Sequence, residues 1–224
     1  MKATDTVTWR PQAFGRRNVK EIEDPLVEPM WVGDRVIVQV TSNDAQVTDV
    51  EGKPVTKDLE DILPQLLASV QADHLVLDGY LTRQATPAAG TVYLVGSVMP
   101  TAGQMTSQML IGRGLRSKAL TRLEEKEREI DSGNPLAFVA VDLLSLDGQS
   151  LVDIPLLERK RLLESVLAEA DLIRRGIYIR LPVDAWLASW RSVGFGELAY
   201  KAANGRYLPG ETNDTWALVR IPTN

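Results

Sequence analysis

Two apolar segments of the sequence each carry an aspartate where a buried strand is predicted. Leu75–Leu81 and Leu136–Leu144 are short and apolar, and the second ends near a tight turn, which predicts two strands of a sheet. Asp78 lies inside the first segment, directly before Gly79, and Asp142 lies inside the second. A carboxylate in such a strand needs a reason, because burying an unpaired charge is costly. The alternatives are that Asp78 and Gly79 form a strand-end turn and that Asp142 caps or pairs locally.

The other patterns predict an α+β fold with antiparallel sheets flanked by helices. Further strands are predicted at 36–40, 46–50, 91–98, 177–181, 197–201 and 216–221, and helices at 59–70, 107–130, 155–167 and 183–190. Turn residues between many of the strands favour hairpins over a doubly wound parallel sheet. We expect a single domain over 1–224, with residues 1–24 as a polar, solvated arm. In the helix that follows Pro155, the charged run 158–161 is predicted to be the solvated face.

Composition excludes several kinds of site. The chain has no cysteine, which excludes disulfides and thiolate chemistry, and His74 is its one histidine, so no metal site is predicted. The net charge of −5, from 25 basic and 30 acidic residues, does not favour general affinity for nucleic acid. We find neither a membrane-spanning apolar run nor a signal sequence, so the expected location is the cytoplasm, without a membrane partner.

Four segments carry a resemblance to a known family. They are Glu28–Arg35, which reads Glu-Pro-Met-Trp-Val-Gly-Asp-Arg; Leu77–Gly79; Phe138–Glu164, a strand, a turn and a basic helix; and Lys201–Gly210, which ends in Tyr-Leu-Pro-Gly before Trp216. In this order, from about residue 25 to 221, they resemble the adenylation domain of ATP-dependent DNA ligases, especially the bacterial repair type. The resemblance implies a nucleotidyltransferase fold (ATP-grasp-like). Ligases of the family continue into a C-terminal oligonucleotide-binding domain, which we do not expect in this chain.

The resemblance also implies which residue should carry the reaction. Such enzymes attack the α-phosphate of ATP with a lysine amine and hold AMP as a phosphoramidate. The position of that lysine is Met30 here, and the position of a nearby aspartate is Val32. A thioether has no amine lone pair, so Met30 cannot be the nucleophile. Lys20 and Lys53 lie outside the geometry of the motif and are poor substitutes.

Other positions of the family pattern are divided between retained and replaced residues. The retained candidates for binding a cofactor are Glu28, Gly33, Arg35, Asp78, Glu197, Lys201 and Arg220. Tyr80, Val141 and Leu218 replace a glutamate, an adenine-stacking aromatic residue and a lysine. Most replacements turn a polar site apolar, which predicts that the ATP pocket has been filled in. ATP and magnesium are the cofactors implied if any binding or activity is retained.

Three hypotheses follow from these residues. The first is a pseudoenzyme that acts as a binding or scaffolding protein, with a DNA repair protein as partner. The second is an active or partner-dependent ligase that seals nicks, based on the retained residues. The third is a DNA- or protein-binding module that uses basic residues at 10–20 and 113–122, and the acidic net charge places protein ahead of DNA. For Glu197 and Lys201, a surface ion pair along one strand is the simpler interpretation.

Overall fold

A computed structural model describes residues 9–84 and 134–222 of the chain. Its strands are β1 (Ala13–Phe14), β2 (Pro25–Pro29), β3 (Asp34–Thr41), β4 (Ala45–Thr48), β5 (His74–Thr82), β6 (Ala137–Leu146), β7 (Gln149–Ser150), β8 (Ile173–Arg175), β9 (Glu197–Ala202), β10 (Thr212–Asn213) and β11 (Trp216–Arg220). Its α-helices are α1 (Ile62–Ser69), α2 (Leu156–Val166) and α3 (Asp184–Ser192), and Val19–Glu21 form a 3-10 turn. The predicted strand at 91–98 and helix at 107–130 lie outside the described residues.

The larger sheet has the strand order β4-β3-β5-β6-β7, with β8 parallel to β6. β5 and β6 are almost wholly buried because their apolar residues fill both faces. Asp78 of β5 lies opposite Asp142 of β6 and Ile37 of β3, so the two aspartates share one face of the sheet. Asp78 is therefore inside a strand, and the strand-end turn considered for it is wrong.

The smaller sheet has the order β11-β9-β2 and is antiparallel throughout. Trp216 is paired with Lys201, and Lys201 is paired with Leu26, so these three side chains stand on the same face. Trp216 of β11 packs with Ile37 of the larger sheet in one buried cluster. Tyr207, which lies in the loop before β10, belongs to the same cluster. The acid-bearing face of the larger sheet is thus covered by the smaller one.

Helix α2 differs from its prediction in a way that matters for the site. Its bounds agree with the predicted helix, and Leu156 and Leu163 are buried as expected. Arg159 and Lys160, however, are 0% and 1% exposed, so the run 158–161 is not a solvated face as a whole. Arg159 lies three and four residues from Leu156 and Leu163, which places it on the apolar side of the helix. Because all four residues of the run 158–161 are charged, the sequence analysis did not separate the buried residues from the exposed ones.

Two further predictions need correction. Residues 177–181 do not form a strand: Ile179 makes a single bridge to Val27, and the strand in this region is β8. The described part of the N-terminal arm is not simply solvated, because Gln12 is fully buried and Phe14 packs against the ring of Trp216. The other predicted strands and helices among the described residues are confirmed, with bounds that differ by a few residues.

Candidate functional site

Glu28 lies between two buried lysines at the interface of the two sheets. Its Oε2 accepts a hydrogen bond of 2.8 Å from Lys201 Nζ, and its Oε1 lies 2.8 Å from Lys160 Nζ in an ion pair without hydrogen-bond alignment. Burial alone would raise the pKa of Glu28, but the two lysines lower it overall. Burial, together with the neighbouring Lys160, lowers the pKa of Lys201 although Glu28 opposes this. Lys201 Nζ also stands 4.2 Å from the ring centroid of Trp216.

Arg35 and Asp78 form a bidentate ion pair on the larger sheet. Arg35 donates from Nε and Nη2 to the two oxygens of Asp78, at 3.0 and 2.6 Å, and from Nη1 to the main-chain oxygen of Gln12 at 2.6 Å. Tyr207 donates its hydroxyl to Asp78 at 2.7 Å. Burial and the carboxylate of Asp78 raise the pKa of Tyr207 well above its ordinary value, so it stays a donor. These partners engage every donor nitrogen of the Arg35 guanidinium.

Asp142 is held by Arg159 in a second bidentate pair, with both side chains fully buried. The two hydrogen bonds, from Nε and Nη2, are each 2.8 Å long. Arg159 Nη1 also donates to the main-chain oxygens of Ile154 at 2.5 Å and Gly205 at 3.2 Å. The pairing with Asp142 is what allows an acid in the interior of β6. Asp142 Oδ1 also accepts a local hydrogen bond of 2.9 Å from Leu143 N, so the local contact considered for it is present beside the pairing with Arg159, which spans 17 residues of sequence.

The loop that joins β2 to β3, residues 30–33, is fixed by hydrogen bonds on both sides. Met30 N donates to Glu197 O at 2.9 Å, and Val32 N donates to the side chain of Gln84 at 2.9 Å. Thr82 donates its hydroxyl to Val32 O. Gly33 has a φ of +147°, and a Cβ there would lie 2.2 Å from the main-chain oxygen of Leu81. The backbone of the loop is therefore kept in one conformation.

The expectation that the replaced positions fill a pocket is only partly met. Tyr80 and Val141 are buried, and burial raises the pKa of Tyr80 to about 12. Met30 is half-buried and packs against the main core. Val32 and Leu218, in contrast, are 53% and 40% exposed. The side chains at these two positions therefore face solvent, so filling a pocket does not explain why they are apolar.

The structure brings four of the seven candidate residues into the buried charged group and leaves the others outside it. Glu28, Arg35, Asp78 and Lys201 belong to the group, and Gly33 shapes the adjacent loop. Glu197 and Arg220 are exposed and lie opposite each other at the ends of β9 and β11. The surface pair suggested for Glu197 and Lys201 is wrong, since Lys201 is buried against Glu28.

Sequence reasoning missed four members of the group. They are Gln12, Arg159, Lys160 and Tyr207. The helical spacing of the two basic residues with Leu156 and Leu163 was an available signal. We find no comparable local signal for Gln12, because Tyr207 and Leu208, which bond its main-chain N–H and its side chain, lie close to 200 residues away in the sequence. Lys20 and Lys53, considered as substitute nucleophiles, are both exposed.

The described residues contain neither a metal-binding cluster nor a helix that could span a membrane. Among residues 9–84 and 134–222, no group of three or more histidines, aspartates or glutamates is placed to hold a metal ion. Within the same residues, no helix has the length and apolar character needed to cross a membrane. Position 30, where the resemblance implies a lysine, provides no amine.

A largely antiparallel sheet and a smaller antiparallel sheet enclose the paired carboxylates and cations, and this α+β arrangement is the nucleotidyltransferase-type fold of solved ligase domains. Residues 16–219 match the model of the ATP dependent DNA ligase domain family. The chain belongs to this family.

The similar proteins are ligases of which this chain covers a part. It is 27% identical over 196 residues to the multifunctional non-homologous end joining protein LigD of Mycolicibacterium smegmatis, covering 87% of this chain and 21% of that protein. It is 26% identical over 208 residues to DNA ligase 1 of Korarchaeum cryptofilum, covering 92% and 34%. Among solved structures, the ligase domain of M. tuberculosis LigD matches with a TM-score of 0.59 at 23% identity, covering 95% and 59%. This chain thus spans less than two thirds of each.

Proposed function

We propose that this ligase-fold domain does not form a lysine-linked AMP and acts as a binding or scaffolding protein in DNA repair. The observation that carries the proposal is Met30 at the nucleophile position of a loop whose frame, Glu28, Gly33 and Arg35, is retained. Covalent nucleotidyl transfer needs an amine at the α-phosphate, and a thioether has no proton to lose and no amine lone pair. The loop is held in place by Thr82 and Gln84, so its backbone gives no sign of collapse.

The pairing of the buried charges supports the same proposal. Asp78 and Asp142 each accept two hydrogen bonds from an arginine, and the remaining donor nitrogen of Arg35 is bonded to Gln12. Side chains that satisfy one another do not need a nucleotide to neutralise them. The fold can therefore persist without the ligand that its relatives use.

The outward-facing apolar residues favour a protein partner over DNA. Val32 and Leu218 expose apolar side chains at positions where the family pattern has an aspartate and a lysine. Apolar contacts suit a protein surface, whereas a phosphate backbone needs cations. Arg16, Arg17 and Lys20 are exposed and supply a weaker argument for DNA contact. The cytoplasm stays our prediction for its location.

The second candidate is an active or partner-dependent ligase. Its supporting observation is the retained geometry around Gly33 and the buried Glu28, Arg35 and Lys201. Nick sealing separates the candidates when it is measured with ATP and magnesium and, separately, with pre-adenylated nicked DNA, alongside an active ligase as positive control. The pseudoenzyme predicts no sealing of either substrate. Sealing with ATP would refute it, and sealing of pre-adenylated DNA alone would leave a partial ligase.

A further inference from the structure

Strand β11 is an open edge of the smaller sheet. Among the described residues it pairs with β9 on one side and with no strand on the other. In an antiparallel strand, the main-chain N–H and C=O of every second residue point toward the same neighbour. Ile221 N donates to Gly196 O on the β9 side, which assigns the odd-numbered residues of the strand to that side. The even-numbered Trp216, Leu218 and Arg220 therefore turn their main-chain groups outward.

The open edge is closed at both of its ends. Trp216 O accepts a hydrogen bond of 2.9 Å from Gly15 N, so its outward oxygen is already used. Pro222, the next even-numbered residue after Arg220, has no N–H, and its oxygen accepts from an arginine of α3 at 2.5 Å. Leu218 and Arg220 thus remain as the two residues whose outward N–H and C=O have no partner among the described residues.

The side chains of this edge also lack cover on their outer side. Leu218 is apolar and 40% exposed, and Arg220 is exposed and forms no ion pair within the described part of the chain. Glu197 lies opposite Arg220 on the β9 side, so a negative charge already stands near the guanidinium. The aliphatic stem of such an arginine can lie along an apolar neighbour while its charged head stays in water. The edge therefore needs main-chain and apolar partners more than a further charge.

We propose that β11 pairs edge to edge with β11 of a second copy of this chain. An antiparallel, two-fold arrangement centred on Val219 sets Leu218 of each copy opposite Arg220 of the other. This register joins the outward residues of both copies through four main-chain hydrogen bonds. The other two-fold registers, centred on Leu218 or Arg220, would direct one residue of each copy to a position that is already closed. Leu218 is then covered by the arginine stem of the second copy, and Glu197 stays beside each guanidinium.

The register also fits the length of the open edge. It uses residues 218–220, which is the part of β11 that Gly15 and Pro222 leave open. The two copies of Arg220 lie diagonally, with Cβ atoms about 7–8 Å apart, and not directly opposite each other. Four main-chain hydrogen bonds make a small interface, so we expect a weak and reversible dimer. The pairing goes beyond the proposed function, because it needs neither the presence nor the absence of adenylation chemistry.

Sedimentation velocity of the whole chain tests for the dimer between about 10 and 1,000 µM, where small interfaces associate. Leu218→Pro removes an outward donor without removing a hydrogen bond to β9, and should abolish the dimer. Leu218→Ala keeps that donor and should weaken the dimer by less than about tenfold, since only part of the apolar area is lost. Val50→Ala shortens another exposed apolar side chain, outside the edge, and should leave the dimer unchanged.

A cysteine cross-link tests the register, because the chain has no cysteine of its own. Val219 would face Val219 of the second copy as a non-hydrogen-bonded pair, with Cα atoms about 4.5 Å apart, which is within the span of a disulfide. With oxidised glutathione as oxidant, Val219→Cys should therefore form disulfide-linked dimers at least about tenfold faster than Val50→Cys, an exposed position outside the edge.

Three outcomes would overturn the pairing. A wild type that stays monomeric over the whole concentration range would leave the edge to a segment of another protein. A dimer that Leu218→Pro leaves intact would lie on another surface, and so would a dimer in which Val219→Cys links no faster than Val50→Cys. If Leu218→Pro does not fold, the two cross-linking rates decide the question. None of these results bears on nick sealing, so the two proposals fail separately.

Discussion

Arg159→Leu should be among the most destabilising single changes in the described structure. Arg159 is fully buried, and among the described residues its loss leaves the side chain of Asp142 with one hydrogen bond, from Leu143 N at 2.9 Å. Removing one partner of a buried ion pair typically costs about 3–5 kcal/mol, because the other charge stays buried without compensation. The oxygens of Ile154 and Gly205 also lose a donor. We therefore expect a decrease of about 3–5 kcal/mol in the free energy of unfolding.

Urea unfolding followed by tryptophan fluorescence measures this change, with two comparison variants. Arg161→Leu removes an exposed side chain that pairs with Glu158 one turn away, and should change stability by less than about 0.5 kcal/mol. The double change Asp142→Leu, Arg159→Leu removes both buried charges and should be more stable than Arg159→Leu alone. The reasoning is refuted if Arg159→Leu costs less than about 1 kcal/mol or if the double variant is the less stable of the two.

Three other predictions test the loop and the buried charged group. Gly33→Ala should destabilise the fold by at least about 2 kcal/mol in the same urea assay, because its Cβ would meet the main-chain oxygen of Leu81; wild-type stability would show that the loop can move aside. Burial raises the pKa of Glu28, but its two lysine partners lower it more, so its pKa in the folded protein lies below the ordinary value of 4.5. The ion pairs therefore stabilise the fold fully above pH 4.5, and this stabilisation is lost as the pH falls through the pKa of Glu28 in the folded protein. The stability difference between wild type and Glu28→Gln should therefore shrink between about pH 6 and pH 3, and a growing difference would contradict this. Met30→Lys with Val32→Asp should not restore an AMP adduct by autoradiography, since other family positions also depart from the pattern; a labelled band would show a more intact site.

Several elements could be predicted because they depend on local pattern. β5 and β6 follow from short apolar runs, and α2 follows from a proline start and helical spacing. The family could also be predicted, since enough of its motif residues remain and stand in the same order along the chain. For the strands and the helix, the necessary information lies within about 30 residues of sequence.

The partners of the charged residues could not be predicted in the same way. Lys201 meets Glu28 only because β9 pairs with β2 in one register, across 173 residues of sequence. Arg159 is buried because it pairs with Asp142 of β6. The composition of the run 158–161 does not indicate that partner. β8 is short and contains two arginines, so its parallel pairing with β6 outweighs its weak strand pattern.

We propose that this ligase-fold domain, with Met30 at the nucleophile position, does not form a lysine-linked AMP. The most direct measurement is the intact mass of the purified protein after incubation with ATP and magnesium, with an active ATP-dependent DNA ligase treated in parallel. We predict an unchanged mass for this chain and an added AMP for the control. An AMP adduct stable to denaturation on any lysine, including Lys160 or Lys201 beside Glu28, would contradict the claim.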